Sequence, residues 1–197
     1  MNKQLSQQEK KYKTIIGKIR VYDDMLLCMF LEKIGITKDQ FVQKFNYQTR
    51  ETFLASAPAG MVIKEVPFSN ITPTVGFAQI TKALSGNLTS LDEIEVNVHA
   101  FGSGDTEPSD SDTTLETETE RKLLSSVSYN GASAFYTAFY DLDEANGTHS
   151  EMGLFMNADD EVADDGTLWD RSLIDITKLD TQSLTIDYED QFINSEE

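Results

Sequence analysis

The chain has 197 residues, 39% of them hydrophobic, with eleven Phe, seven Tyr and one Trp, which is enough large apolar surface for one good-sized core and excludes intrinsic disorder. Its formal net charge of −18 is unevenly spread, since residues 1–50 hold ten Lys and Arg against five Asp and Glu while residues 51–197 are strongly acidic; the body should therefore repel nucleic acid, whose backbone must be met by cations. A single cysteine, Cys28, excludes an internal disulfide framework, and no run approaches the roughly 18 apolar residues of a membrane-spanning helix.

In chain order, the opening "MNKQLSQQEKKYK" lacks the apolar region of a signal peptide, which points to a chain made and kept in a reducing, cytoplasmic setting. Leu5, Tyr12, Ile15, Ile16, Ile19, Leu26, Phe30 and Ile34 then recur at spacings near three, four or seven and predict one or two helices. Cys28 lies among the apolar residues of this run and is expected to be a buried, inert thiol. Gly35 is a stop signal, and "TKDQ" (Thr37 to Gln40) is a capping box that opens a short helix through Phe41, Val42 and Phe45. This gives a helical N-terminal arm over 1–55 and an acidic β-domain over 56–197.

Beyond residue 60 the period changes to two. "DEIEVNVHA" places Ile94, Val96, Val98 and Ala100 on one face and His99 on the other, and "SLTIDYEDQF" sets Leu184, Ile186, Tyr188 and Phe192 against Ser183, Thr185, Asp187, Glu189 and Gln191, the signature of half-buried strands. "SVSYNGASAFYTAFY" reads as a hairpin turning at Asn130-Gly131. With "MVIKEVPF", "TVGFAQITKAL", "EMGLFM" and "TLWDRSLIDI" the count reaches about eight strands with closely spaced turn signals. The fold class is mainly β, an antiparallel β-sandwich preceded by the helical arm.

Between the strands ending near Phe101 and beginning near Lys122 lies "GSGDTEPSDSDTTLETETERK", a polar crossover with one large apolar anchor, Leu115. Gly102, Gly104 and Pro108 let the chain leave the sheet. Thr113 with Glu116 has the form of a second capping box, and Glu118 is spaced from Arg121 for an ion pair.

The ordered set Gly102, Gly104, Pro108, Asp112, Thr113, Leu115, Glu118, Arg121, then Glu151, Gly153, Leu154 and Phe155, then Gly166, Leu168, Arg171 and Lys178, closing on "SLTIDYEDQF", resembles the β-rich attachment module of tailed-bacteriophage virion proteins, as in tail-collar and baseplate fibre proteins. The likeness spans roughly residues 90 to 193. It implies a non-enzymatic structural subunit of the tail or neck, an adaptor assembled in several copies that mounts other virion proteins, made in the host cytoplasm and incorporated into the virion. The partners implied are other virion proteins and copies of the chain itself, without membrane, nucleic acid or small-molecule substrate. Glu118, Arg121, Glu151, Arg171 and Lys178 are the side chains expected to tie the module's loops.

Chemical motifs are sparse. "DLDEANGTHSE" fails the calcium-loop register, because position five from Asp141 is Ala145 and Gly147 is seventh. His99 and His149 accompany no nucleophile motif, and no phosphate-binding glycine loop is present; no catalytic residue, metal or cofactor is expected. Two other classes stay open: a capsid decoration protein on the head surface, and a DNA-binding regulator using the helix-turn-helix-like segment near residues 26–45. The arm's apolar residues Ile15, Ile19, Leu26, Phe30, Phe41 and Phe45 are expected to dock on a neighbouring subunit.

Overall fold

Alternation of apolar and polar residues builds most of this protein, which the computed structural model describes over residues 13–192. Strand β1 (Lys13–Asp23) leads into helices α1 (Asp24–Ile34), α2 (Lys38–Lys44) and α3 (Tyr47–Leu54), followed by β2 (Val62–Ser69), α4 (Thr74–Leu84) and a 3₁₀ turn at Leu91–Ile94. The remainder is β3 (Val96–Gly102), β4 (Glu118–Leu123), β5 (Ser126–Asn130), β6 (Ser133–Tyr140), β7 (Gly147–Met156), β8 (Thr167–Lys178) and β9 (Gln182–Phe192). One antiparallel sheet runs β2-β1-β9-β6-β5 and the other β4-β3-β7-β8. The mainly β, two-sheet fold is thus the one the sequence pattern predicts.

The sheets meet over a core of Ile19, Val21, Phe101, Tyr136, Tyr140, Leu154, Trp169, Leu184, Ile186 and Tyr188. Each outer face is covered as well. Tyr22 and Phe139 on the first sheet pack beneath Leu27, Phe30, Leu31, Phe41 and Val42 of α1 and α2. On the second sheet, Val98, Ala100, Phe155 and Leu168 lie under Leu115 of the crossover, with Val75 of α4 beside them. No helix among the described residues is long and apolar enough to cross a membrane.

The start of the arm differs from the helical expectation. Residues 13–23 form β1, an interior strand hydrogen-bonded to β2 and β9 along its length; Leu5 and Tyr12 lie outside the described residues. A spacing of four is a repeat of both a helix face and a strand face, so Ile15 and Ile19 fit either. The β-branched run Thr14, Ile15, Ile16, Ile19, Val21 is the local signal that favours the strand. Helices begin only at Asp24, where Asp23 caps α1 by accepting from the Leu26 amide at 3.0 Å.

Downstream, the expected stop at Gly35 (φ 74°) and the capping box of Thr37 with Gln40 are both present. "TVGFAQITKAL" is helix α4 rather than a strand: Val75, Gln79, Ile80 and Ala83 are partly buried at helical spacing, and Pro73 is tolerated just before the first turn. Strand β4 starts at Glu118, four residues before the expected Lys122. Cys28 is exposed rather than buried.

Five of the docking-arm side chains pack within the chain. Ile19 belongs to the inter-sheet core, Phe30 and Phe41 to the core under the helices, and Leu26 and Phe45 pack against the latter; Ile15 contributes its backbone to β1. Ile19, Phe30 and Phe41, buried in this way, are not presented to a neighbour. Phe41→Ala should therefore lower unfolding free energy by about 3–5 kcal/mol in urea titrations, whereas a free arm would register almost no change.

Candidate functional site

Strand β7 sends Met152 and Leu154 into the inter-sheet core and turns Glu151, Gly153 and Phe155 to the outer face of the second sheet. Glu151 is fully buried. Its Oε1 accepts from the amides of Gly104 (2.9 Å) and Thr117 (2.8 Å), and its Oε2 from the Glu116 amide (3.0 Å) and Arg171 Nε (2.9 Å). A buried carboxylate is tolerable only when donors replace water, and here three of the four belong to the crossover.

Arg171 extends the network. From β8 it reaches Asp112 Oδ2 through Nη1 at 2.8 Å and the Thr106 carbonyl through Nη2 at 3.1 Å. Its backbone exchanges hydrogen bonds with Ile71 at 3.0 and 3.2 Å. Glu116 does not cap a helix; its Oε2 accepts from the Asp105 and Thr106 amides at 2.9 Å, and the Thr106 donors hold this carboxyl below its usual range. The expected helical turn after Thr113 is absent, because these carboxylates collect the crossover's amides in place of an intrahelical ladder. Thr113 is exposed and Pro108 half-buried in the same segment.

Glycines here are matters of clearance. A Cβ on Gly104 would lie 2.5 Å from Glu151 Oε1, and one on Gly153 would lie 2.5 Å from the Asp170 carbonyl and 3.1 Å from Leu115 Cδ2. Gly102 sits at the end of β3 opposite Glu151. Leu154 fills the inter-sheet core, and Leu168 and Phe155 meet Leu115 on the outer face.

A second tie closes the acidic loop after β7. Arg121 Nε pairs with Glu118 Oε1 at 2.5 Å, its Nη1 donates to the Asp159 and Asp165 carbonyls at 2.6 and 3.3 Å, and its guanidinium stands 5.0 Å from the Phe155 ring centroid. The ion pair has the expected spacing but lies on a strand, not a helix. Gly166 (φ 86°) ends the loop. Lys178 is the exception among the expected ion pairs: its buried ammonium donates to the Leu142 carbonyl (3.2 Å) and Asn146 Oδ1 (2.9 Å), and burial lowers its pKa.

A parallel arrangement on the first sheet was not expected from sequence. Asp187, fully buried, accepts from Arg20 Nη1 (2.9 Å), Arg50 Nε (2.6 Å) and the Thr137 hydroxyl (2.8 Å). Arg50 comes from α3, lies 4.5 Å from the Phe41 ring centroid and donates to the Phe41 and Phe45 carbonyls at the C-terminal end of α2. Lys18 pairs with Glu51 and Glu65, and Lys38 with Asp24 and Asp141. Arg20, Arg50, Lys18 and Lys38 thus meet the chain's own carboxylates, and Lys38 is the cation of the helix-turn-helix-like segment engaged in this way, while Lys44 lies over the Phe45 ring. Alternating Ser183, Thr185, Asp187 and Glu189 on β9 looked solvent-facing; the helical layer covers them.

His99 faces the inter-sheet interior rather than the polar side, because a register shift between Val96 and Val98 reverses the alternation. Its Nδ1 bonds the Tyr140 hydroxyl at 2.8 Å, and burial pushes its pKa down to about 3, with His149 adding to the shift. No group of three or more His, Cys, Asp or Glu among the described residues is arranged to hold a metal ion. A shallow depression of about 150 Å³ lined by Asp39, Val42, Gln43, Lys122, Ser125 and Phe139 is about half the size of the smallest usual ligand pockets. No protein-family model, curated protein or solved structure matches this chain.

Glu151→Ala should cost about 3–5 kcal/mol, because it leaves three amides and the Arg171 Nε–H without their acceptor and removes one of the carboxylates paired with that guanidinium. Glu151→Gln, which keeps an acceptor for Gly104 and Thr117, should cost less. Both are read from urea midpoints, with proteolysis at 103–117 faster in the alanine variant. For His99 the folded pKa lies below the unfolded value of about 6.5, so the unfolded chain binds the extra proton and stability falls as pH drops below about 6.5. Between pH 6.5 and 4.5 the loss should be about 2 kcal/mol, and His99→Asn should remove that slope whatever its offset.

Proposed function

We propose that this chain is a non-enzymatic structural subunit of a tailed-phage virion, an adaptor of collar or baseplate type that is present in several copies and mounts other virion proteins. The observation that carries the reading is the convergence of the module's scattered residues. Gly104, Asp112, Leu115, Glu151, Gly153 and Arg171 span 68 positions of sequence yet come together around Glu151, so part of the ordered set that resembles the attachment module converges in space, with Glu118 and Arg121 in a neighbouring tie and Lys178 apart from both.

The network also favours a mount over a catalyst. Its carboxylates and guanidinium are hydrogen-bonded to backbone and to each other, which fixes a long crossover rigidly on the sheet. A rigid loop presents a surface of constant shape, which repeated assembly requires. The acidic exterior suits partners that supply cations. Cement on the head surface is the second reading, because it asks the same rigidity of the same module.

A labelled copy imaged on purified particles tests this. Label at a few symmetric positions on the tail, neck or baseplate is the expected result, and label spread over the head surface would move the assignment to decoration. Particles without label would overturn both. A gel shift with nonspecific DNA at low salt should show no complex; a strong complex would favour the regulator reading.

A further inference from the structure

The two sheets end in four edge strands, and three carry devices that block pairing with another chain. Strand β2 contains Pro67, Lys64 and Glu65, and Lys64 reaches across to the Asp175 carbonyl of β8 at 2.8 Å. Strand β4 places Glu118, Glu120, Arg121 and Lys122 among its six residues. Strand β8 is bridged at Arg171 by Ile71 and packed by α4, whose Phe77 ring meets Trp169.

Strand β5, "SVSYN", has none of these devices: it carries no charge and no proline, and it pairs only with β6. It lies in an uncharged run of 18 residues, Leu123 to Tyr140, in a chain of net charge −18. Val127 and Tyr129 are opposite Tyr136 and Ala134, on the face that elsewhere fills the inter-sheet core. Yet they are 57% and 85% exposed, so the first sheet overhangs the second at this edge.

We infer that β5 is a self-pairing edge, on which a second copy of this chain adds its own β5 antiparallel to join two five-stranded sheets into one. A two-fold axis through Ser128 sets Val127 of one copy opposite Tyr129 of the other, an aromatic and β-branched pair of the kind that stabilises adjacent strands. The occupant is a second copy because the edge is self-complementary and uncharged. Two bodies of strong like charge can approach there without opposing carboxylates, as they cannot along β4. Five residues of edge make a small interface, below the roughly 1,200 Å² of stable pairs, so association is weak in solution and gains strength by repetition. The inference deepens the multi-copy reading above by naming the contact.

Sedimentation velocity of the full chain over a range of about 10 to 500 µM tests it, in the concentration regime where weak interfaces become populated. The parent should associate increasingly with concentration. Val127→Lys and Tyr129→Glu, both at exposed positions, should stay monomeric and melt within a few degrees of the parent. A parent that is monomeric throughout, or association that persists in both variants, overturns the inference. A monomeric parent that nevertheless sits on particles sinks this contact and leaves the assembly role standing. A parent that pairs through β5 but is missing from particles does the reverse.

Discussion

Two carboxylates organise this fold, Asp187 on the outer face of one sheet and Glu151 on the outer face of the other. Both are buried, and an isolated charge in such a place is penalised by several kcal/mol of lost hydration. The penalty is offset only if donors arrive from whatever covers them. On the first sheet Arg50 of α3 supplies one donor while also satisfying carbonyls at the end of α2. On the second sheet the crossover supplies three backbone amides. In each case an outer layer is held to its sheet at one place and in one orientation, which hydrophobic contact alone, being non-directional, does not specify.

This explains how a segment as polar as 102–117 is ordered. Leu115 supplies a single apolar anchor, too little to hold sixteen residues against their conformational entropy. The hydrogen-bonded carboxylates of Glu151 and Glu116 supply the rest, and they place polar side chains on the surface in a fixed arrangement. The helical segment is likewise a layer of the fold rather than a free arm, because its aromatic residues and its arginine complete the first sheet.

Much of the fold was legible in the sequence. Gly35 and the Thr37–Gln40 box mark real helix boundaries, and Leu184, Ile186 and Tyr188 do face the core. The hairpin is present with Gly131 (φ 60°) and Ala132 as its turn residues, one position later than expected. The failures have more than one cause. Both sheets are covered on both sides, so polar residues of β9 such as Asp187 and Glu189 are interior, and period-two patterning misreads them as solvent-facing. Strand β1 was hidden by the ambiguity of a four-residue spacing, and α4 by a run whose apolar residues fit strand and helix alike. Within the candidate site, the glycines, Leu115, Glu151 and Arg171 were marked by order along the chain, though not which of them pair, and the cluster at Asp187 depends on contacts 137 and 167 positions apart and leaves no local trace.

A buried carboxylate fastens the crossover to the sheet, and amide hydrogen exchange of the native chain reads that fastening residue by residue. The amides of Gly104, Glu116 and Thr117 should exchange as slowly as those in the middle of β7, because releasing them requires opening the sheet beneath. Exchange of these three at the rate of an unprotected loop, with β7 still fully protected, would contradict it.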